Sequence, residues 1–230
     1  EEGEFEEFII TKPAQKKALK WEKSFFSNAD LNITTNDRAA SILVDHYKVD
    51  RQVVTSIEHH YHLDELSADP KPGLNDDQKK LSKRALRLGF LGTLDKPPRV
   101  PGLDLADLLC ELNKDSTSFE LHVHGLVPDI PGARLKYYEN HGVYFHGVLP
   151  HEESTQAMGD YDALLLILAD APNTRVVFSI KLPHYLQLRK PILAIVPQES
   201  ANAEVVLSTG TGIVVNSAKD WKSELFVTLK

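Results

Sequence analysis

The order of apolar and polar residues divides the chain into two unlike parts. From residue 87 onward, short apolar runs alternate with stretches of helical period. The runs RLGFLG (87–92), FELHVHG (119–125), VYFHG (143–147), DALLLIL (162–168), PILAIV (191–196) and GIVV (212–215) have the length of strands. Between them LDLADLLCELN (103–113), ARLKYYENH (133–141), EESTQAMGDY (152–161), LPHYLQLRK (182–190) and AEVVLS (203–208) read as helices, and AKDWKSELFVTL follows the last run in the same manner. LLLIL and ILAIV carry no polar alternation, the pattern of strands covered on both faces of a parallel sheet. Six βα steps in succession predict an α/β fold, a doubly wound, Rossmann-like parallel sheet of about six strands. Right-handed crossovers then place helices on both faces.

The front of the chain reads differently. PAQKKALKWEKSFFSNA predicts an amphipathic helix, LNIT a short strand, NDRAASILVDHY a helix capped by Thr35 or Asn36, and QVVTSI a second strand. Two such steps make only a partial second α/β unit, read as the trailing part of a larger domain. Between the two parts lies LSADPKPGLNDDQKKLSK (66–83), rich in Pro, Gly, Asp and Lys, a composition that cannot bury a core. The expected organisation is therefore 1–65 as the front unit, 66–83 as linker and 84–230 as the main domain.

Composition narrows the function. A net charge of -7 over 230 residues argues against a protein that coats nucleic acid or anionic membrane, yet leaves room for one basic pocket. The single cysteine, Cys110, excludes an intramolecular disulfide and fits a reducing compartment. Within LDLADLLCEL it reads as a small core residue. No run approaches the roughly 20 apolar residues of a membrane span, and no signal peptide is visible, so a cytoplasmic protein is expected. The opening EEGEFEEF, without an initiator methionine, suggests processing or a piece of something longer.

Open parallel sheets bind ligands beyond the carboxyl ends of their strands, which leaves three loops to consider. The first holds Gly92 and Thr93, with Lys96 and Arg99 in reach of a phosphate; it is neither a G-x-G-x-x-G fingerprint nor a Walker loop. The second holds His146, Gly147, Val148 and Leu149, an extended segment that can offer backbone groups to a flat base before His151 and Glu152 begin a helix. The third is FSIKLPHYLQLRKPILAIVP (178–197), in which Ser179 would cap a helix that tolerates Pro183 in its first turn. Free N–H groups and Lys181 there suit a diphosphate, and His184 offers an imidazole for hydrogen bonding. The residues alone leave open the plainer reading of a solvated lysine and a packed histidine. Two histidine groups, EHHYHLDE (58–65) and His122 with His124, share strand faces but lack further ligands at a diagnostic spacing, so no metal is expected.

Four pieces, in their order and spacing, resemble the donor-binding half of a GT-B-fold glycosyltransferase of the family-four-like retaining group. They are ADLNITTNDRAASILVDHY, RLGFLGTLD, VYFHGVLPHEESTQAMGDYDALLLIL and SIKLPHYLQLRKPILAIVP, and the resemblance runs from about Ser27 onward. It implies that Gly92 and Thr93 approach the donor phosphates, that Lys181 lies near the diphosphate and that 146–149 hold the base. Arg99, Ser179 and Tyr185 join the implied donor-binding set, and Lys181 and His184 stand at the implied catalytic positions. His184 occupies the place of a glutamate that bonds the donor ribose, and Val176 that of an earlier glutamate. A carboxylate accepts from two hydroxyls where an imidazole makes one such bond. The resemblance further implies a nucleotide-diphosphate sugar as donor substrate, an acceptor glycan or lipid-linked sugar, no metal or other cofactor, and a role in polysaccharide biosynthesis. Peripheral association with the inner membrane face would run through a front domain, without which the piece would be inactive. Two alternatives stand beside this reading: a catalytically silent GT-B-like nucleotide-sugar-binding subunit, motivated by Val176 and His184, and a nucleotide-sugar epimerase.

Overall fold

The computed structural model describes residues 11–58, 84–94, 102–114, 118–127, 129–171, 173–218 and 220–229. Lys96, Arg99, the histidines at 59, 60 and 62, and the expected linker 66–83 lie outside them. The chain forms two units. Among the described residues, 11–58 with Val176–Phe178 make the first and the remainder makes the second.

The first unit carries α1 (Lys12–Asn28), β1 (Asn32–Thr34), α2 (Asp37–Asp45) and β2 (Val54–Ser56), the last preceded by a 3-10 turn at Arg51–Val53. Asn36 rather than Thr35 caps α2, its Oδ1 accepting the Ala39 N–H at 2.9 Å. β1 and β2 pair in parallel, and Ala40, Leu43, Val49 and Val54 form a small core. α1 buries no residue; Tyr47 ties it down by donating to Glu22 at 2.7 Å and meeting Phe26 edge to face.

The second unit is the doubly wound sheet that the apolar runs predict. Its strands are β3 (Leu86–Leu91), β4 (Phe119–His124), β5 (Val143–Gly147), β6 (Ala163–Ile167), β7 (Ile192–Val196) and β8 (Gly212–Asn216). They lie in the order β5-β4-β3-β6-β7-β8, all parallel. The helices are α3 (Gly102–Leu112), α4 (Gly132–Asn140), α5 (His151–Gly159), α6 (Lys181–Gln187), α7 (Ala201–Thr209) and α8 (Trp221–Leu229). α7 shows why the boundaries fall where they do: buried Ser200 accepts the Ala203 N–H, and Gly210 ends the helix at φ 63°.

Alternate residues of the strands face opposite sides. Leu88, Phe90, Leu121, Val123, Val143, Leu165, Ile167, Leu193, Ile195 and Val215 form one core with Leu105 and Leu109 of α3, Tyr138 of α4 and Trp221 and Leu225 of α8. Cys110 is buried in this core, where desolvation and the nearby Asp107 raise its thiol to about 11. It is structural, as its sequence context suggests. The opposite face presents Gly89 of β3, and a Cβ there would lie 2.2 Å from Cδ2 of Tyr161. The central strand therefore makes room for an aromatic ring that a side chain would displace.

Gly89→Ala should destabilise the second unit by about 1–3 kcal/mol, the usual range for overpacking a fitted site. Chemical denaturation checks this, and the same substitution in a Tyr161→Leu background should lose most of the effect.

Candidate functional site

The strand order reverses between β3 and β6, and that is where an open α/β sheet leaves a crevice at its carboxyl edge. Three glycines end adjacent strands on this side: Gly92 (φ 130°), Gly125 (φ 143°) and Gly147 (φ 74°). Hydrogen bonding continues past the strand ends, with Gly92 N–H donating to His124 O at 2.8 Å and Gly125 N–H to Gly147 O at 2.7 Å. A Cβ on Gly125 would sit 2.1 Å from the Gly92 carbonyl oxygen, and one on Gly92 would sit 2.5 Å from Lys181 Nζ. The first forces two backbones into contact. The second lays an ammonium group on a bare glycine. Thr93 follows half-buried.

Lys181 opens α6, and its Nζ also lies 4.8 Å from the centre of the Phe90 ring. The ammonium is thus held over the end of β3. The capping detail differs from the sequence expectation. Ile180 takes the cap position with helical dihedrals and no side-chain bond, because the Leu182 N–H already closes a turn on Ser179 O at 3.0 Å. Ser179 Oγ lies 3.4 Å from the Lys181 N–H, while its own N–H donates to Oδ1 of buried Asn202 at 2.9 Å. His184, half-buried, falls in the last turn of this seven-residue helix. It follows Lys181 by three residues, about one helical turn.

Tyr185 requires a correction. It is wholly buried, with its hydroxyl 3.3 Å from Leu165 O in β6, and burial raises its phenol well above the ordinary range. Lys181 and Tyr185, four residues apart, share one side of the helix: the lysine at the helix start reaches Gly92, while Tyr185 one turn further on packs against β6, so it is a packing residue.

The loop after β5 holds the second group. His146 and Gly147 end the strand exposed, Val148 is 66% exposed and Leu149 is half-buried. Beneath this segment lies an arrangement that the sequence reading did not assemble. His122 Nδ1 and His146 Nε2 are 2.9 Å apart, and His122 Nε2 is 3.3 Å from Glu120 Oε2. His124 Nε2 lies 2.5 Å from the Tyr161 hydroxyl, while its Nδ1 is buried without a hydrogen-bond partner among the described residues. The His146 ring stacks on both His122 and His124, with centroids 5.2 and 4.6 Å apart. Among the described residues no three His, Cys, Asp or Glu side chains converge as metal ligands. The signal available in sequence was the alternation that puts His122 and His124 on one strand face; the partners in β5 and at Tyr161 come from elsewhere in the chain.

Burial disfavours charge throughout this group. It lowers His124 from 6.5 to about 4, with His146 and His122 adding to the effect. Desolvation also lowers His122, against the pull of Glu120, and lowers His146, where Arg87 contributes. It raises Tyr161, which keeps the hydroxyl protonated.

No protein-family model and no curated protein sequence matches the chain. Solved structures match its fold. WaaG, a glycosyltransferase involved in lipopolysaccharide biosynthesis, aligns with a TM-score of 0.61 at 17% identity over 95% of this chain and 59% of its own. HepE of Anabaena, solved in complex with UDP and glucose, aligns at 0.61 and 14% over 96% of this chain and 57% of its own. The lipopolysaccharide outer core galactosyltransferase WaaB in its apo form aligns at 0.59 and 13% over 87% and 52%. The chain spans less than two-thirds of the length of each. These neighbours are GT-B glycosyltransferases, and the six-stranded sheet with its flanking helices matches their Rossmann-like domains.

Because the folded histidines bind protons less readily than unfolded ones, stability should rise with pH wherever the unfolded chain holds more protons. For His124 that window runs from about 4 to 6.5. Thermal unfolding across it should show a falling midpoint as pH drops, and His124→Gln should flatten the curve.

Proposed function

We propose that this chain supplies the nucleotide-sugar-binding half of a glycosyltransferase of the retaining, family-four-like group. The observation that carries the reading is the position of Lys181 Nζ against Gly92 at the edge where the strand order reverses. Support comes from the fold match to glycosyltransferases, one of which, HepE, has been captured with UDP and with UDP-glucose. In such a reaction the bond between the anomeric carbon and the β-phosphate oxygen breaks, and a bond to an acceptor hydroxyl forms. The nucleoside diphosphate leaves with added negative charge. An ammonium held at a partly water-excluded edge stabilises that charge as it develops, with no reorganisation at the moment of reaction.

Gly92 and Thr93 would face the phosphates, and 146–149 would offer backbone groups to the base. Ser179 would help orient the turn that carries Lys181. His184 would give the ribose one hydrogen bond in place of the two a carboxylate accepts. Neutralisation of the diphosphate falls to Lys181 in this reading, without a metal ion. The acceptor, a glycan or lipid-linked sugar, would meet residues outside this chain. Contact with the inner membrane face would be made there too.

A second reading has its own support. His184 stands where the resemblance implies a glutamate, and Val176 where it implies another. A silent nucleotide-sugar-binding subunit would bind donor and never consume it.

Titration with UDP, GDP and their sugars, by calorimetry or thermal shift, tests the proposal; absence of binding by every nucleotide diphosphate would overturn it. Lys181→Ala should weaken binding at least about tenfold, since a hydrogen bond to a charged group contributes ~1.5–3 kcal/mol. Gly92→Ala, whose Cβ would intrude on Lys181 Nζ, should weaken it too, while Gly159→Ala, with open space around it, should not. Binding without turnover in the presence of acceptors would favour the silent subunit.

A further inference from the structure

Three histidines sit in one contact chain across β4 and β5, and the Proposed function uses only the backbone next to the outermost. Glu120, when ionised, accepts hydrogen bonds and cannot donate them, so His122 Nε2 at 3.3 Å must carry a proton. In a neutral His122 the other nitrogen, Nδ1, then accepts, and the N–H it accepts from is His146 Nε2 at 2.9 Å. The ring preceding Gly147 is thereby pinned to the middle of β4. His124 stacks against the same ring, and Tyr161 anchors His124 at 2.5 Å. Backbone bonding adds a second tie, since Gly147 O accepts from Gly125, the residue after His124.

We propose that His122, His124 and Tyr161 are positioning residues that act through His146 to set the conformation of the 147–149 segment, and that they hold it until the His122–His146 pair takes up a second proton. This rests on the reading of 147–149 as the base-facing segment. One added proton is absorbed by switching the tautomer of His146, so that His122 donates in both directions. A second proton puts N–H against N–H and breaks the tie. The groups facing the cluster decide how hard that is: Arg87 from β3 opposes any added positive charge, Glu120 of β4 favours it, and Tyr144 and Tyr161 are neutral neighbours. On His124 a second N–H would be buried at a nitrogen with no acceptor among the described residues.

Two-dimensional NMR of the whole chain between about pH 8 and pH 5 tests this, with imidazole resonances and amides followed together. The amides of Gly147, Val148 and Leu149 should shift with the midpoint of His122 or His146, while those of β8, at the far edge of the sheet, stay in place. Tyr161→Phe should move that midpoint. UDP serves as the ligand probe: affinity should fall about tenfold or more from pH 8 to pH 5.5, and less than about threefold in His122→Phe, whose ring cannot be protonated. Amides at 147–149 that ignore the imidazole titration would overturn the inference, as would loss of the β8 signals before any histidine titrates. If UDP binds at no pH, the functional reading fails while the amide and imidazole midpoints still decide the positioning role.

Discussion

How closely β3 can lie against its neighbours sets almost everything at the carboxyl edge of the sheet. It is the strand between β4 and β6, where the winding direction changes. Gly89 admits the Tyr161 ring, Gly92 admits the Lys181 ammonium, and Gly125 just after β4 brings its backbone against Gly92. A side chain at any of these would push a helix, a ring or a strand outward. Interiors pack at crystal-like density, so the displacement would spread rather than be absorbed.

The two halves of that edge solve different electrostatic problems. Over β3 the chain keeps a positive charge, on a lysine whose ammonium lies over the Phe90 ring. Over β4 and β5 it gathers three imidazoles and suppresses their charge by burial and mutual repulsion. A cation placed over one strand end and neutral donors and acceptors over the next suit a ligand with an anionic end and a flat polar end. That division of labour supports the proposal of a nucleotide in this site.

Much of this was legible in the linear sequence. All six strands of the main sheet fall within a residue or two of their apolar runs, most plainly β6 and β7, which are buried throughout and leave an uninterrupted signature. The glycines at 92 and 147 stood out as strand ends, and Lys181 as the start of a helix. Tyr185 did not announce its place, since a tyrosine four residues after a half-buried lysine fits either a binding face or a core face until the helix is docked. Asn202, which accepts the Ser179 N–H, was invisible as part of the α6 turn because it arrives from the next βα step.

By itself the sequence determined the α/β class, the number of strands, the direction in which they run and the loops that gather at one edge. Those follow from local apolar period and the handedness of crossovers, which need no partner to be read. Tertiary structure alone decided which side chains meet. The Lys181 approach to Gly92, the tie from His122 to His146 and the anchoring of His124 by Tyr161 join residues 24 to 89 positions apart. Such contacts depend on strand order and register, and no local pattern encodes either.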